Sequence, residues 1–213
     1  MSHKINPIGF RIGVSKGWNS IWFEDNKSNY KANLHEDLKI REVLERNFKS
    51  AGIDQIVINR TPSNLEISVS VVKPGVAIGR EGTLIESVKK ELGRILKRKD
   101  VNLKINGIKD DAFSAEFTAY EIASGIEARR SVKSLVKKAI DKAKKAGVKG
   151  MRIWIAGRLT GGEYANSYKK KFGRMGLHSF RSDIDYAYAR AHTINAGILS
   201  VKVWIYKNDK YDI

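Results

Sequence analysis

Lysine and arginine side chains, crowded into one quarter of the chain, are the residues whose types and spacing suggest a chemistry. Between Arg129 and Arg181 the sequence carries 16 lysines and arginines against two acids, so this stretch accounts for +14 of the net charge of +17. A dense, unneutralised block of cations is typical of a surface that binds a polyanion such as nucleic acid. Anionic membrane is the competing partner, but membrane-binding helices usually carry bulky aromatic residues on their apolar face.

The centre of this block is predicted to be a long helix. Its apolar residues recur at i, i+3, i+4, i+7, i+8 and i+11 over residues 132–143, and Gly147 ends it. A merely solvated face would carry acid–base pairs at i, i+4, yet Asp141 is the only acid in residues 128–149. Like charges along one face repel each other, and phosphates would relieve that repulsion. We therefore predict that this helix binds phosphates through Arg129, Arg130, Lys133, Lys137 and Lys138.

Further along, between Glu163 and Arg181, cations are interleaved with aromatic side chains. Aromatic rings among cations suit the stacking of bases combined with the neutralisation of phosphates. Tyr164, Tyr168 and Phe172, spaced at i, i+4 and i+8, fit the buried side of a helix equally well. The candidate RNA-binding residues of this segment are Lys169, Lys170, Lys171, Arg174, His178 and Arg181.

A second candidate phosphate site is the loop Gly79-Arg80-Glu81-Gly82. The GxxG spacing alone carries little information, because it occurs three times among the 18 glycines. Only this loop joins two predicted helices inside an α+β unit and opens a helix N-terminus, where free N–H groups and the helix dipole attract phosphate. The alternative is a tight turn without a ligand.

Catalytic and cofactor signals are absent from the sequence. The four histidines lie far apart without the spacing of a zinc site, and no GxxxxGK[ST] or GxSxG motif occurs. Zero cysteines exclude disulfides and thiolate metal sites. Asp183 and Asp185 flank Ile184 in the manner of alternating strand residues rather than metal ligands. We predict that the chain is not an enzyme and binds neither a cofactor nor a metal.

The elements that must position these residues predict two domains. Residues 1–36 read as an irregular N-terminal arm that packs on another part of the protein, and a helical pattern begins at Leu38. Residues 37–109 give helix, strand, strand, short helix, glycine loop, helix and strand; residues 110–213 give the basic helix and further strands. The predicted fold class is α+β, with two small α/β-sandwich domains. No apolar run is long enough to span a bilayer, and the N-terminus lacks a signal-peptide core.

Particular blocks of residues also resemble a known family. The order of elements in residues 37–109 resembles a type II KH domain, the bacterial and organellar form of that RNA-binding module. His-Lys-Ile-Asn-Pro-Ile-Gly-Phe-Arg-Ile-Gly at residues 3–13 and Lys-Pro-Gly-Val-Ala-Ile-Gly at 73–79 resemble bacterial small-subunit ribosomal protein S three. So do the blocks at residues 157–159, 181–186 and 201–205. Since the blocks occur in the family's order over almost the whole chain, the chain is identified as a member of that family.

The resemblance implies a structural protein of the small-subunit head that binds small-subunit rRNA, in a cytoplasmic or organellar ribosome. Members lie beside ribosomal proteins S ten and S fourteen and line the mRNA entry channel. Basic residues of the long helix contact mRNA, at positions that correspond here to Lys133 and Lys137, with Arg129 and Arg130 nearby. This chain has Ser134 where the family often has another cation. The alternative function is a stand-alone KH regulator or RNA chaperone, which would need neither the N-terminal tryptophans nor the basic block.

Overall fold

The computed structural model describes residues 4–61, 64–79, 82–96, 101–108, 111–159 and 161–210. The chain forms two compact units, one of residues 18–109 and the other of residues 1–17 together with 110–213. Each unit combines one four-stranded sheet with helices, which confirms the predicted α+β class. The arm predicted over residues 1–36 is divided between the units, because its first part packs on the C-terminal segment and the rest begins the unit of residues 18–109.

From its first helix onward, the unit of residues 18–109 has the predicted order of helices and strands; a short strand before that helix was not predicted. Its sheet runs β1-β2-β3-β4, with β2 and β3 antiparallel and the two outer pairs parallel. In strand β3 every second side chain is buried, in agreement with the alternation of apolar and polar residues along it. The elements are β1 (Ser20–Ile21), α1 (Lys27–Phe48), β2 (Ile53–Arg60), β3 (Leu65–Val71), α2 (Pro74–Ile78), α3 (Thr83–Leu96) and β4 (Val101–Gly107).

Helix α1 is longer than the sequence pattern predicts, and the expected start at Leu38 is wrong. The helix begins after Asn26, whose side chain accepts a hydrogen bond of 3.0 Å from the backbone N–H of Ser28. None of residues 27–36 is buried, and apolar residues are sparser there than in the later turns, so this part of the helix has a weaker pattern. The core of this unit begins at Ile40 and is completed by side chains of β2, β3, α3 and β4.

A buried ion pair ties α1 to β2. Arg60 Nη2 donates to Asp37 Oδ1 at 2.8 Å, and both side chains are about 5% exposed or less. The indole N–H of Trp22 donates to the other oxygen of Asp37 at 2.8 Å, while Arg60 Nη1 reaches Glu36 at 2.8 Å. Burial disfavours the charged guanidinium, yet these hydrogen bonds and carboxylates outweigh it and raise the pKa of Arg60.

The second unit is an antiparallel sheet of order β6-β5-β8-β7 with two helices on one face. Side chains at residues 151, 153 and 155 and at 199, 201, 203 and 205 form the core beneath the helices. The further strands predicted after the basic helix are present. The elements are α4 (Ala115–Glu127), α5 (Val132–Lys145), β5 (Gly150–Gly157), β6 (Asn166–Gly173), β7 (Ser182–Thr193) and β8 (Gly197–Asp209).

Arg11 anchors the N-terminal segment to this unit. Its guanidinium is fully buried and donates to five backbone carbonyls at 2.8 to 3.1 Å. Phe10 stacks on Phe180 with ring centroids 4.3 Å apart. The expectation that the N-terminal segment packs on another part of the chain is therefore confirmed. The carbonyls that accept from Arg11 belong to Pro7, Gly176, Leu177, Ser179 and Ser182.

Candidate nucleic-acid interface

The lysines on the two sides of helix α5 differ in whether neighbouring acids pair with them. Lys133 and Lys137 are exposed and form no ion pair with any residue that the structure describes. On the other side, Lys138 lies 3.8 Å from Glu121 of α4, and Lys142 Nζ lies 2.6 Å from a carboxylate oxygen of Asp111. Burial would lower the pKa of Lys142, but its hydrogen bonds to these two acids raise it overall. The exposed lysines of the helix without an ion pair in the described residues are therefore Lys133 and Lys137 in its first half and Lys144 and Lys145 at its end.

Arg129 and Arg130 lie in the turn before the helix, so only three of the five cations predicted to lie on the helix belong to it. The predicted long helix begins only after Ser131, and residues 128–131 form the turn that follows α4. Arg129 has a φ of 58°, the left-handed conformation that reverses the chain there. Both arginines are exposed and line a cavity of about 580 Å³ together with His192, within reach of the start of α5.

Lys169, Lys170 and Lys171 lie on strand β6, so the helix considered for this segment does not form. Tyr168 and Phe172 pack against the core beneath the helices, whereas Tyr164 precedes the strand and is 81% exposed. Successive side chains of a strand alternate between its faces. Lys170 therefore shares the helix-covered face with those two rings, and Lys169 and Lys171 lie on the opposite face.

The other three predicted residues lie in the loop between β6 and β7, and all three are exposed. Arg181 Nε is 3.8 Å from a carboxylate oxygen of Asp209, so part of its charge is neutralised. His178 lines a cavity of about 450 Å³ that also contains Lys4 and Arg152. Arg174 follows the end of β6. The structure thus gathers the predicted cations of the second unit into an α5 side and a loop-and-sheet side.

The glycine loop belongs to the other unit, and Arg80 and Glu81 lie outside the described residues. Gly79 has a φ of 75°, and a Cβ there would come within 2.9 Å of the Leu84 Cβ. Its turn conformation alone therefore requires glycine. Gly82 has a φ of 79° but open space around it, directly before α3 begins at Thr83. The turn conformation therefore favours glycine at both positions, and only Gly82 has open space beside its Cα for a ligand.

Sequence reasoning identified Lys169 and Lys171 but missed the aromatic residues and the other cations on the helix-free face of the second sheet. By register, Trp154 lies between Lys169 of β6 and Lys202 of β8. Lys169 Nζ lies 4.6 Å and Lys202 Nζ 5.4 Å from the Trp154 ring. Alternation along β5 and β8 signals this face once both strands are known, but their pairing cannot be read from the sequence.

Metal and membrane features are not found in the part of the chain that the structure describes. There, no group of three or more histidines, cysteines or acids could hold a metal ion. Asp183 is instead paired with Lys16 at 2.8 Å, and Asp185 lies 3.9 Å from the same ammonium group. Among the described helices, none has the length and apolar character needed to cross a membrane.

In comparisons with known proteins, each of the two compact units of the chain is matched largely by its own family model. The family model described as "Ribosomal protein S3, C-terminal domain" matches residues 122–205, and the model described as "KH domain" matches residues 39–112. A "Small ribosomal subunit protein uS3" from Persephonella marina is 44% identical over 210 residues, covering 99% of this chain and 92% of the relative. Proteins of the same name from Parvibaculum lavamentivorans and Kosmotoga olearia are each 42% identical, cover 98% of this chain, and are themselves covered to 87% and 96%.

Proposed function

The chain belongs to the family of small ribosomal subunit protein uS3, and from this premise we propose that it is a structural constituent of the subunit head that binds rRNA and contacts mRNA at the entry channel. Membership confirms the resemblance seen in the sequence and the prediction that the chain is not an enzyme. The proposed place of action is the small ribosomal subunit in the cytoplasm. The observation that carries the proposal is the unneutralised pair Lys133 and Lys137 on α5.

The charge distribution supports a role for α5 at an RNA strand. Acids of neighbouring elements neutralise one side of the helix and leave the side with Lys133 and Lys137 to solvent. Arg129 and Arg130 extend this positive surface from the preceding turn. Ser134 is exposed between the two lysines, so the row has one cation fewer than in many family members. We expect this helix to hold mRNA and to contribute less to duplex opening than a fully basic row.

We further propose that the neighbouring proteins are ribosomal proteins S ten and S fourteen. An exposed apolar stripe on α1 supports protein contacts of this kind. Tyr30, Leu34 and Leu38 recur at i, i+4 and i+8 and are 49%, 41% and 56% exposed. Phe23, just before the helix, is 84% exposed. Patches of this composition are more typical of protein interfaces than of free surface. A photo-crosslinker at residue 34 should capture S ten or S fourteen in assembled subunits, and capture of rRNA alone would contradict this assignment.

Sucrose-gradient sedimentation tests the proposal against the alternative of a stand-alone KH regulator or RNA chaperone. An epitope-tagged chain should sediment with small subunits and 70S particles and should remain there after a high-salt wash. A chain that stays at the top of the gradient would support the regulator.

The mRNA contact is tested by crosslinking and by salt titration. A photo-crosslinker at residue 134 should capture mRNA that carries 4-thiouridine downstream of the decoding site. With purified chain, Lys133→Ala/Lys137→Ala should lower the slope of log affinity against log salt by about 1.4 to 1.8, since each phosphate contact contributes about 0.7 to 0.9. Lys142→Ala, whose ammonium is already paired with acids, is the matched control. Equal slopes for the wild type and the double variant would refute the assignment of α5.

A further inference from the structure

The helix-free face of the second sheet alternates cations with aromatic rings. One row across the sheet reads Lys169, Trp154, Lys202 and Tyr188 on β6, β5, β8 and β7. The next row reads Lys171, Arg152, Trp204 and Tyr186. We call these eight residues the open face. The opposite side chains of the same strands form the core beneath α4 and α5.

The two rows differ in accessibility. Trp204 is 3% exposed, and Met175, Leu177 and Tyr186 pack around it. In the other row Trp154 is half-buried and Tyr188 is 41% exposed. Their strands are separated only by β8, so their backbones lie roughly 10 Å apart. The open face therefore presents two accessible aromatic rings in one row with a lysine between them.

Cations surround these rings at the distances of cation–π contacts. Lys169 Nζ and Lys202 Nζ lie 4.6 and 5.4 Å from the Trp154 ring. Lys202 Nζ is also 5.9 Å from Tyr188, and Arg190 lies 5.6 Å from the same ring. Lysine side chains are flexible, so each can move from the indole to a phosphate while a base takes its place over the ring.

The acids Asp183 and Asp185 of β7 lie on the helix-covered side of the sheet rather than on the open face. Asp185 of β7 accepts from the backbone N–H of Ala115 at the start of α4 and lies 3.5 Å from Lys207 of β8. Lys169 and Lys202, by contrast, form no ion pair with any residue in the described ranges. Burial, followed by repulsion from Arg152 and Lys169, lowers the pKa of Lys4 beside this face. The open face thus has an uncompensated positive potential, which complements a polyanion.

We propose that the open face is a second RNA-binding site, which takes a single-stranded segment. Bases stack on Trp154 and Tyr188, and phosphates pair with Lys169, Lys202 and Arg190. Aromatic rings that alternate with cations on an open sheet favour single strands, because the bases of a duplex are already stacked on each other. This site lies on the side of the sheet opposite to α5, so it goes beyond the contacts proposed for Lys133 and Lys137.

Binding of fluorescein-labelled decauridylate by the full chain, followed by fluorescence anisotropy, tests the site. All variants are made in a Lys133→Ala/Lys137→Ala background, so that α5 does not mask the effect. Trp154→Leu should weaken binding about 10-fold, and Trp154→Phe should restore most of it. Lys202→Ala should lower the salt slope by about 0.7. Lys207→Ala is the matched control, because Lys207 lies on the same strand but faces the helices and is paired with Asp185.

Several outcomes would overturn the site. Wild-type affinity in both Trp154→Leu and Lys202→Ala would do so, as would equal losses in Lys202→Ala and Lys207→Ala. If polyglutamate or anionic lipid vesicles displaced decauridylate as well as unlabelled RNA does at equal charge, the face would be a general polyanion surface and the proposal would fail. Circular dichroism checks that Trp154→Leu is folded. If that variant unfolds, the comparison of Lys202→Ala with Lys207→Ala decides the test. Sedimentation with ribosomal subunits is measured separately, so a negative result for the open face does not contradict the proposed function.

Discussion

Replacing Arg11 with lysine would keep the charge of a fully buried side chain and remove its planar fork of donors. The guanidinium donates five hydrogen bonds to backbone carbonyls, whereas an ammonium has only three N–H groups. A single ammonium nitrogen can replace only one of the three guanidinium nitrogens; in the position of Nη2 it would leave the carbonyls of Pro7 and Ser182 without this donor, and each buried orphan costs about 1 to 3 kcal/mol. We therefore expect Arg11→Lys to lower the free energy of unfolding of this unit by about 3 kcal/mol.

Urea denaturation followed by hydrogen exchange and mass spectrometry would measure this loss. With a slope of about 2 kcal/mol per molar urea, the midpoint for peptides of residues 176–206 should fall by about 1.5 M. Peptides from residues 40–60 belong to the other unit and serve as an internal standard. The matched control is Arg158→Lys, because Arg158 is exposed and its two carbonyl contacts are 3.4 Å long. A loss below about 0.5 kcal/mol for Arg11→Lys would refute the account of this anchor.

Three further changes test other parts of the structure. Asp37→Asn should destabilise the unit of residues 18–109 by about 2 kcal/mol in denaturant titrations, because Arg60 loses its buried carboxylate partner and keeps only the pair with the partly exposed Glu36; a loss under about 0.5 kcal/mol would contradict this. Gly79→Ala should lower the thermal midpoint more than Gly82→Ala, because both have a positive φ but only the first adds a steric clash. Ser182 Oγ donates a hydrogen bond to Asp209, which holds the pKa of that carboxyl below its ordinary value of 3.8. The stabilising contribution of the carboxylate is therefore present above that pH and is lost as the pH falls further. Asp209→Asn should flatten the fall of the thermal midpoint below pH 4, and an unchanged profile would exclude that role.

Much of the fold could be predicted from periodic apolar patterns. Strand β3 and helix α3 have clear periods of two and 3.6 residues, and both were placed correctly. Helix α4 was missed because its buried stripe contains small residues such as Ala115, Ala119 and Ala123, which give a weak pattern. The spacing of Tyr168 and Phe172 by four residues fits both a helix and a strand, so it could not identify β6.

The candidate site was predictable in charge but not in geometry. The sequence shows where cations are dense, yet the acids that neutralise them come from other elements. Glu121 of α4 lies near Lys138 and Lys142 of α5 although it precedes both by more than 15 residues. The open face was missed for the same reason, since it requires the pairing of β5 with both β6 and β8. Long-range pairing of this kind has no local signature.

Residues 1–17 belong to the same unit as residues 110–213, and this affects the order in which the two units can fold during synthesis. Residues 4–17 leave the ribosome first, but four of the five carbonyls that satisfy Arg11 belong to residues 176–182, which are made much later. The unit of residues 18–109 is contiguous and can fold as soon as it emerges, in the N-to-C order usual for nascent domains. Until residues 176–182 have been made, the N-terminal segment lacks its packing partners, and Arg11 lacks four of its five hydrogen-bond acceptors. A nascent chain released before residues 176–182 are made would therefore contain one folded unit and an N-terminal segment without packing partners, which proteases can cleave.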